Sequence, residues 1–407
     1  MSHIIQPEQT ETYGVNDLIR VAKREKNGIR PYLFVNPLQG KHIPVQPEKT
    51  MELCSHLGKV IHKHFPEERL LAIGFAETAT AIGAAASMFA QNVRFLTQTT
   101  REEREGSEYV YFTESHSHAA SQGLIVEGFE KTLVETDRIL FIEDEVTTGN
   151  TIEKLINELR KRFPGHTLNF AILSIVNSMT EERLAYWQES GIPILYLLKI
   201  PHEYQAEQIE HYQYHPEEET KEGDEQLIRL FEYQFHGYRD PRFLLEKEGY
   251  IFICEKLYTA IMSAGLVAPD EREILVLGTE ECMFPGLYFA WRLALEYPDK
   301  KIRFHATTRS PIQVSLDAGY PLQKRFPLSS LYASSRHTYV YNLTHYDAAF
   351  VLTDAPPKAM GAEAFAGPDA DLSLEKQAAF RMPSKGQVSL MRALGSQSVS
   401  KVSFLYL

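Results

Sequence analysis

The chain has 407 residues, 43% of them hydrophobic, enough for two or three domains with proper cores and too apolar for a disordered protein. Its 42 basic and 54 acidic side chains leave a formal charge of −12, which argues against nucleic acid or an anionic membrane as partner. Cys54, Cys254 and Cys282 form no CxxC pair, the N-terminus lacks an apolar signal core, and no apolar run approaches the roughly 20 residues of a membrane span, so a reduced, cytoplasmic, globular protein is expected.

The polar lead-in passes into "VNDLIRVAKREKNG", read as a short helix, and "YLFVNPLQGKHIPVQP", read as a strand closed by Gly40, Pro44 and Pro47. "TMELCSHLGKVIHKHF" has helical spacing at Leu53, Leu57, Val60 and Ile61. Strands and helices then alternate: "RLLAIGF" (strand), "ETATAIGAAASMFAQ" (helix), "VRFLTQTT" (strand), "RILFIED" (strand), "NTIEKLINELRKRF" (helix), then "LNFAILSIVN" and "IPILYLLKI" (strands) with a helix between them. Short apolar strands separated by helices imply a parallel sheet covered on both faces. "HPEEETKEGDEQ" is the most polar stretch and reads as a linker or exposed insertion, after which the βα rhythm resumes with "REILVLGTEECMFPGLYFAWRLALEY". The last 50 residues, rich in Ala, Gly and Pro at their start, are expected to loop over the surface.

The stretch "RILFIEDEVTTGNTI" carries the chemistry. Glu143 and Asp144 end an apolar strand, at the edge of an open α/β sheet where ligands bind. "VTTGNT" turns into the next helix, whose first N–H groups and dipole favour a phosphate. Gly149 permits the turn, and Thr147, Thr148 and Thr151 add hydroxyl donors. A 5-phosphate there sets a ribose over the two acids, which can accept from vicinal hydroxyls; the plain alternative is a βα turn whose acids cap the helix.

The segment "ILFI-ED-EV-TTGNT" resembles the phosphoribosyl-pyrophosphate (PRPP) motif of type I phosphoribosyltransferases, with Glu143 where Asp is commoner and Asn150 where Gly is frequent. "GKHIPV", "GFAETATAIG", "TTREE" and "ESHSHAASQG" are similar to a bacterial, orotate phosphoribosyltransferase-like group found with tellurium-resistance operons, whose members carry a C-terminal TRSP domain; here "TTRSP" stands at 307–311. The resemblance implies transfer of ribose 5-phosphate between pyrophosphate and a base-like acceptor, Mg2+ as cofactor, and a nucleoside-like product.

Other candidates follow from what such a reaction needs. "GFAETAT" lies between a strand and a helix and is the expected pyrophosphate loop: Gly74 lets the backbone approach, Thr78 lies in the loop, and Glu77 either orients Mg2+ water or the acceptor, or caps its helix. The long polar stretch after residue 98 is the place for a mobile loop that excludes water. In it Arg101 is the first choice for pyrophosphate, ahead of Arg104, and His116 and His118 have a substrate or pyrophosphate role, a metal role without a third ligand, or only a surface one. Lys41 and His42 are candidate PRPP or acceptor contacts, or a solvated turn. No protein metal ligand is identified apart from Asp144, since Mg2+ would be held chiefly through PRPP.

The second half echoes the first. "LLAIGFAET" matches "ILVLGTEEC", pairing Gly74 with Gly278 and Glu77 with Glu281; "VRFLTQTTR" matches "IRFHATTR", pairing Arg101 with Arg309; "DRILFIED" matches "DAAFVLTD", pairing Asp144 with Asp354. No Thr-Thr-Gly-x-Thr follows Asp354. Glu281, Thr307, Thr308, Arg309, Ser310 and Asp354 form a candidate second site; the alternative is that Arg309 pairs structurally with Glu281 or Asp354. The expected architecture is therefore α/β: a parallel-sheet, Rossmann-like phosphoribosyltransferase domain at 1–214, a linker at 215–235, and a smaller, degenerate Rossmann-like TRSP domain at 236–407, possible as a homodimer. A PRPP-binding regulator and a ribosyl-phosphate hydrolase on the same fold are the rival readings.

Overall fold

The computed structural model describes residues 12–25, 30–112, 122–201, 207–355, 372–377 and 383–407. They fall into two compact units that interleave along the chain: unit 1 is Met1–Leu18, Glu52–Tyr204 and Arg239–Ile251, and unit 2 is Ile19–Met51, Gln205–Tyr238 and Phe252–Leu407. The contiguous division at 214 and 236 is thus too simple. Residues 19–51 pack with the later unit, and 239–251 return to the earlier one.

Unit 1 is built on β1 (Leu70–Gly74), α1 (Thr80–Phe89), β2 (Val93–Gln98), β3 (Arg138–Val146), α2 (Asn150–Arg162), β4 (Phe170–Asn177), α3 (Glu181–Glu189) and β5 (Ile194–Lys199). Its parallel sheet runs β2-β1-β3-β4-β5, and Leu245–Glu246 adds antiparallel to the free edge of β2. The apolar run Ile139–Ile142 is at most 1% exposed, as a strand covered on both faces requires. In α2 the stripe Ile152, Leu155, Ile156 and Leu159 is buried, and Arg160, Lys161 and Arg162 end the helix where its dipole favours cations. The small residues of α1 allow close contact: a Cβ on Gly83 would stand 2.8 Å from the Gly74 Cα.

Unit 2 repeats the plan with β6 (Arg229–Phe235), β7 (Glu273–Gly278), α4 (Phe284–Glu296), β8 (Lys301–Ala306), β9 (Ala348–Thr353), α5 (Lys385–Gly395) and β10 (Lys401–Tyr406). The order is β8-β7-β9-β10-β6, all parallel, with Leu374–Lys376 antiparallel on β6. As β1 lies between β2 and β3, so β7 lies between β8 and β9.

Three sequence expectations are corrected. The helix before residue 30 is only Val15–Leu18; Arg20–Lys23 pairs antiparallel with Tyr32–Val35, and pairing overrides local propensity. Residues 215–235, expected as a linker or exposed insertion, include part of the sheet. Arg229–Phe235 is the sheet strand β6, and ahead of it Glu225 is held by Arg392 at 2.9 Å. Nor do the last residues loop over the surface: α5 starts with a capping box between Ser384 and Gln387 and shares a buried core with Val351, Val402 and Phe404 through Leu390 and Leu394, and β10 lies inside the sheet between β9 and β6.

Candidate active site

β3 continues past its apolar run to Val146, because Glu143 and Glu145 keep the β4 register opposite Ser174 and Val176. The acids therefore stand on the rigid end of a central strand. Burial first, then the adjacent Asp144 carboxylate, pushes the Glu143 carboxyl well above its ordinary value, and the Arg101 guanidinium partly offsets this. Arg101 itself is exposed.

The loop after β1 meets the same acids. The Thr78 hydroxyl donates to Asp144 Oδ1 at 2.9 Å. The loop is fixed from beneath: the Ala76 amide donates to Thr99 Oγ1 at 2.8 Å, and Gln122 Nε2 donates to Ala76 O at 2.9 Å and Thr99 Oγ1 at 3.1 Å. Gly74 is required at its entry, since a Cβ there would stand 2.9 Å from Ala79 O. Glu77 in this loop is buried.

The third part is the turn into α2. Gly149 is the N-cap residue with φ 73 and has no side chain to cap the helix, while the Asn150 amide donates to Thr148 Oγ1 at 3.3 Å. Thr147 is half-buried, while Thr148, Asn150 and Thr151 are exposed. Gly149 is constrained twice, because a Cβ would also stand 2.9 Å from the Trp187 ring. α3 braces the outside of the turn: Arg183 Nε donates to Thr148 O at 2.6 Å, and its Nη2 reaches Asn150 Oδ1 at 3.1 Å and Glu153. A cavity of about 360 Å³ lies here, lined by Thr147, Thr148, Asn150, Thr180, Arg183 and Tyr186 among others.

The polar loop after β2 is anchored by residues far away in sequence. Arg242, fully buried, donates from Nε to Thr100 Oγ1 at 3.2 Å and from Nη1 to Asp240 Oδ1 at 3.0 Å. Asp240 also takes Arg104 at 2.9 Å, which gives Arg104 a structural partner. Burial opposes the charge on Asp240, but Arg242 and Arg104 outweigh it and hold the carboxyl below its ordinary value. His116 and His118 lie outside the described residues.

Of the residues singled out in the sequence, Thr78 and Asp144 are joined directly, and Glu143 and the turn 147–151 flank Asp144 along the chain. Sequence reasoning missed Arg183, whose only signal is its place in the first turn of α3, and Asp240 and Arg242, for which no local signal exists. Lys41 and His42 belong to unit 2, where Lys41 is fully buried and its Nζ donates to the backbone oxygens of Glu280 at 2.5 Å and Thr307 at 3.0 Å. In unit 2 Arg309 meets Glu280 at 2.6 Å and Glu281 at 3.5 Å, while Asp354 accepts from the Tyr332 hydroxyl. Arg309 thus pairs with Glu281, as the structural alternative expects, and also with Glu280, which the sequence did not single out. Thr308 is fully buried, and its amide donates to Tyr339 O at 2.9 Å. Ser310 turns its amide to Thr308 Oγ1 at 3.2 Å.

Residues 18–199 match the family model described as phosphoribosyl transferase, PRTase_2, and residues 253–366 match the model of the TRSP domain C-terminal to it. No curated protein matches the chain. Among solved structures, adenine phosphoribosyltransferase from Rhodothermus marinus is similar at 13% identity, covering 46% of this chain and 96% of that one, with a TM-score of 0.31. Orotate phosphoribosyltransferase from Aeropyrum pernix follows at 18% identity, 44% and 88% coverage and a TM-score of 0.28. Hypoxanthine phosphoribosyltransferase from Staphylococcus aureus has 15% identity, 40% and 80% coverage and a TM-score of 0.26. The α/β fold follows from the sheet topology itself.

Proposed function

We propose, for a chain that carries a phosphoribosyl transferase domain followed by a TRSP domain, that unit 1 transfers ribose 5-phosphate between pyrophosphate and a base-like acceptor. The observation that carries this reading is the Thr78–Asp144 hydrogen bond of 2.9 Å, which joins the expected pyrophosphate loop to the expected ribose acids within one edge of the sheet.

In this reading the amides at the start of α2, with the hydroxyls of Thr147, Thr148 and Thr151, hold the 5-phosphate. Glu143 and Asp144 accept from the ribose hydroxyls. Residues 74–78 present backbone to the pyrophosphate, with Glu77 behind them, and Arg101 supplies positive charge. An acceptor nitrogen bonds to the anomeric carbon as the carbon–oxygen bond to pyrophosphate breaks; the bonding pair leaves with pyrophosphate, and the nitrogen loses its proton. The paired carboxylates are hard oxygen donors that suit Mg2+, with Asp144 the first choice and PRPP oxygens supplying the rest. Bound there, Mg2+ would neutralise the charge that builds on the leaving pyrophosphate. A place in nucleoside-like metabolism, the tellurium-resistance group, a cytoplasmic location and a homodimer belong to the same proposal.

Incubation with PRPP and Mg2+, following pyrophosphate with and without a panel of nucleobases, tests it. Acceptor-dependent pyrophosphate release is expected. Release without any acceptor indicates a hydrolase, and PRPP binding without release indicates a regulator.

A further inference from the structure

The loop that follows β1 has a counterpart in unit 2, bond for bond. In unit 1 the Thr99 amide donates to Gly74 O at 3.0 Å and the Ala76 amide to Thr99 Oγ1 at 2.8 Å. In unit 2 the Thr307 amide donates to Gly278 O at 3.1 Å and the Glu280 amide to Thr307 Oγ1 at 3.0 Å. Both glycines are forced in the same way: a Cβ on Gly278 would stand 2.7 Å from Cys282 O, as one on Gly74 would stand 2.9 Å from Ala79 O. Glu280 is therefore the counterpart of Ala76. Arg309 comes two residues after Thr307, as Arg101 does after Thr99.

The loops differ in charge at the position of Ala76 and Glu280. Where Ala76 ends in a methyl, Glu280 carries a carboxylate into the unit, and the residue is 1% exposed. Arg309 Nε approaches it at 2.6 Å, Arg336 Nη1 at 2.7 Å, and the Ser330 hydroxyl donates to its other oxygen. Lys41 Nζ lies against the Glu280 and Thr307 carbonyls of the same loop. Glu280 holds a positive φ of 49, a conformation that only surrounding structure can impose on a glutamate. Two guanidiniums and a hydroxyl converging on one buried anion, with an ammonium behind them, are the donors that proteins use to hold a phosphate group.

We infer that unit 2 retains an oxyanion site of the phosphate or pyrophosphate class, and that the Glu280 carboxylate fills it from within. The native unit 2 accordingly takes up no phosphate, and its Arg309 serves an internal anion instead of a ligand. This rests on the geometry of unit 2 and holds whether or not unit 1 transfers phosphoribosyl groups.

The test is chemical rescue. Glu280→Gly removes the carboxylate and suits the positive φ at once. In phosphate-free buffer the full-length variant should melt below the wild type, because Arg309 and Arg336 lose the Glu280 carboxylate. Pyrophosphate or inorganic phosphate, added without Mg2+, should raise its melting temperature by several degrees more than that of the wild type. The gain should vanish in Glu280→Gly/Arg309→Ala. Any pyrophosphate that binds unit 1 is common to all three proteins and cancels. The inference is overturned if the variant responds to anions no more than the wild type does, if it stays unfolded in their presence, or if the response survives loss of Arg309.

Discussion

The Thr78 hydroxyl donates to the Asp144 carboxylate at 2.9 Å, so the loop after β1 and the acids at the end of β3 cannot move independently. A hydrogen bond to a charged group contributes about 1.5–3 kcal/mol. Thr78→Val keeps the shape and removes the donor. It should reduce kcat/KM for PRPP by about tenfold with an unchanged circular dichroism spectrum. Asp144→Asn should weaken PRPP binding at least as much while affecting free pyrophosphate far less; calorimetry with both ligands gives the comparison, and equal losses would indicate misfolding.

Gly149 is held by its φ of 73 and by the Trp187 ring, which a Cβ would meet at 2.9 Å. Gly149→Ala should therefore lower the melting temperature as well as PRPP affinity. Gly149→Val, which turn geometry alone would assign to ligand loss with the fold intact, should also unfold part of α2. Parallel melting curves and PRPP titrations distinguish a turn that binds phosphate, where affinity falls further than stability explains, from one that is only structural.

Glu143 gives a pH dependence with a defined sign. Its carboxyl is raised well above the ordinary 4.5, first by burial and then by Asp144. Between those two values the folded protein binds more protons than the unfolded chain, so stability should fall as pH rises through the window, and below about 4.5 the contribution no longer changes. Glu143→Gln should flatten that slope in denaturant titrations at several pH values. An unchanged slope would show that Glu143 ionises normally.

Arg242 and Asp240 hold the base of the polar loop through Thr100 and Arg104. Truncating one partner of a buried ion pair costs about 3–5 kcal/mol. Arg242→Ala should lower stability by that order in urea unfolding. The milder Arg242→Lys keeps the charge but loses the planar fork, and it should reduce turnover more than it reduces stability. Equal effects on both would make the anchor purely structural.

The apolar runs at 69–75, 138–144 and 168–177 were readable because strands buried on both faces leave little choice of residue, and the turn 147–151 because glycine and hydroxyl residues beside paired acids have few other uses. Arg242 was not readable, since its partner Thr100 is reached only through a return of the chain to unit 1. Arg229–Phe235 and Lys401–Tyr406 were hidden for a related reason: each lies beside polar or Ala/Gly/Pro-rich sequence, and their identity as strands comes from pairing with one another across a long separation. Lys41 misled because a lysine next to glycine suggests an exposed phosphate contact, whereas here two backbone carbonyls take its protons in the interior.

The pairing of β6 with β10 and Leu374–Lys376 alone bears on how the polypeptide is made. β6 leaves the ribosome long before either partner exists. Throughout that interval "RLFEYQF" is an unsatisfied, apolar template that a neighbouring nascent chain or a holdase can engage. Slowing translation after this stretch should therefore cost yield even though the finished fold is unchanged.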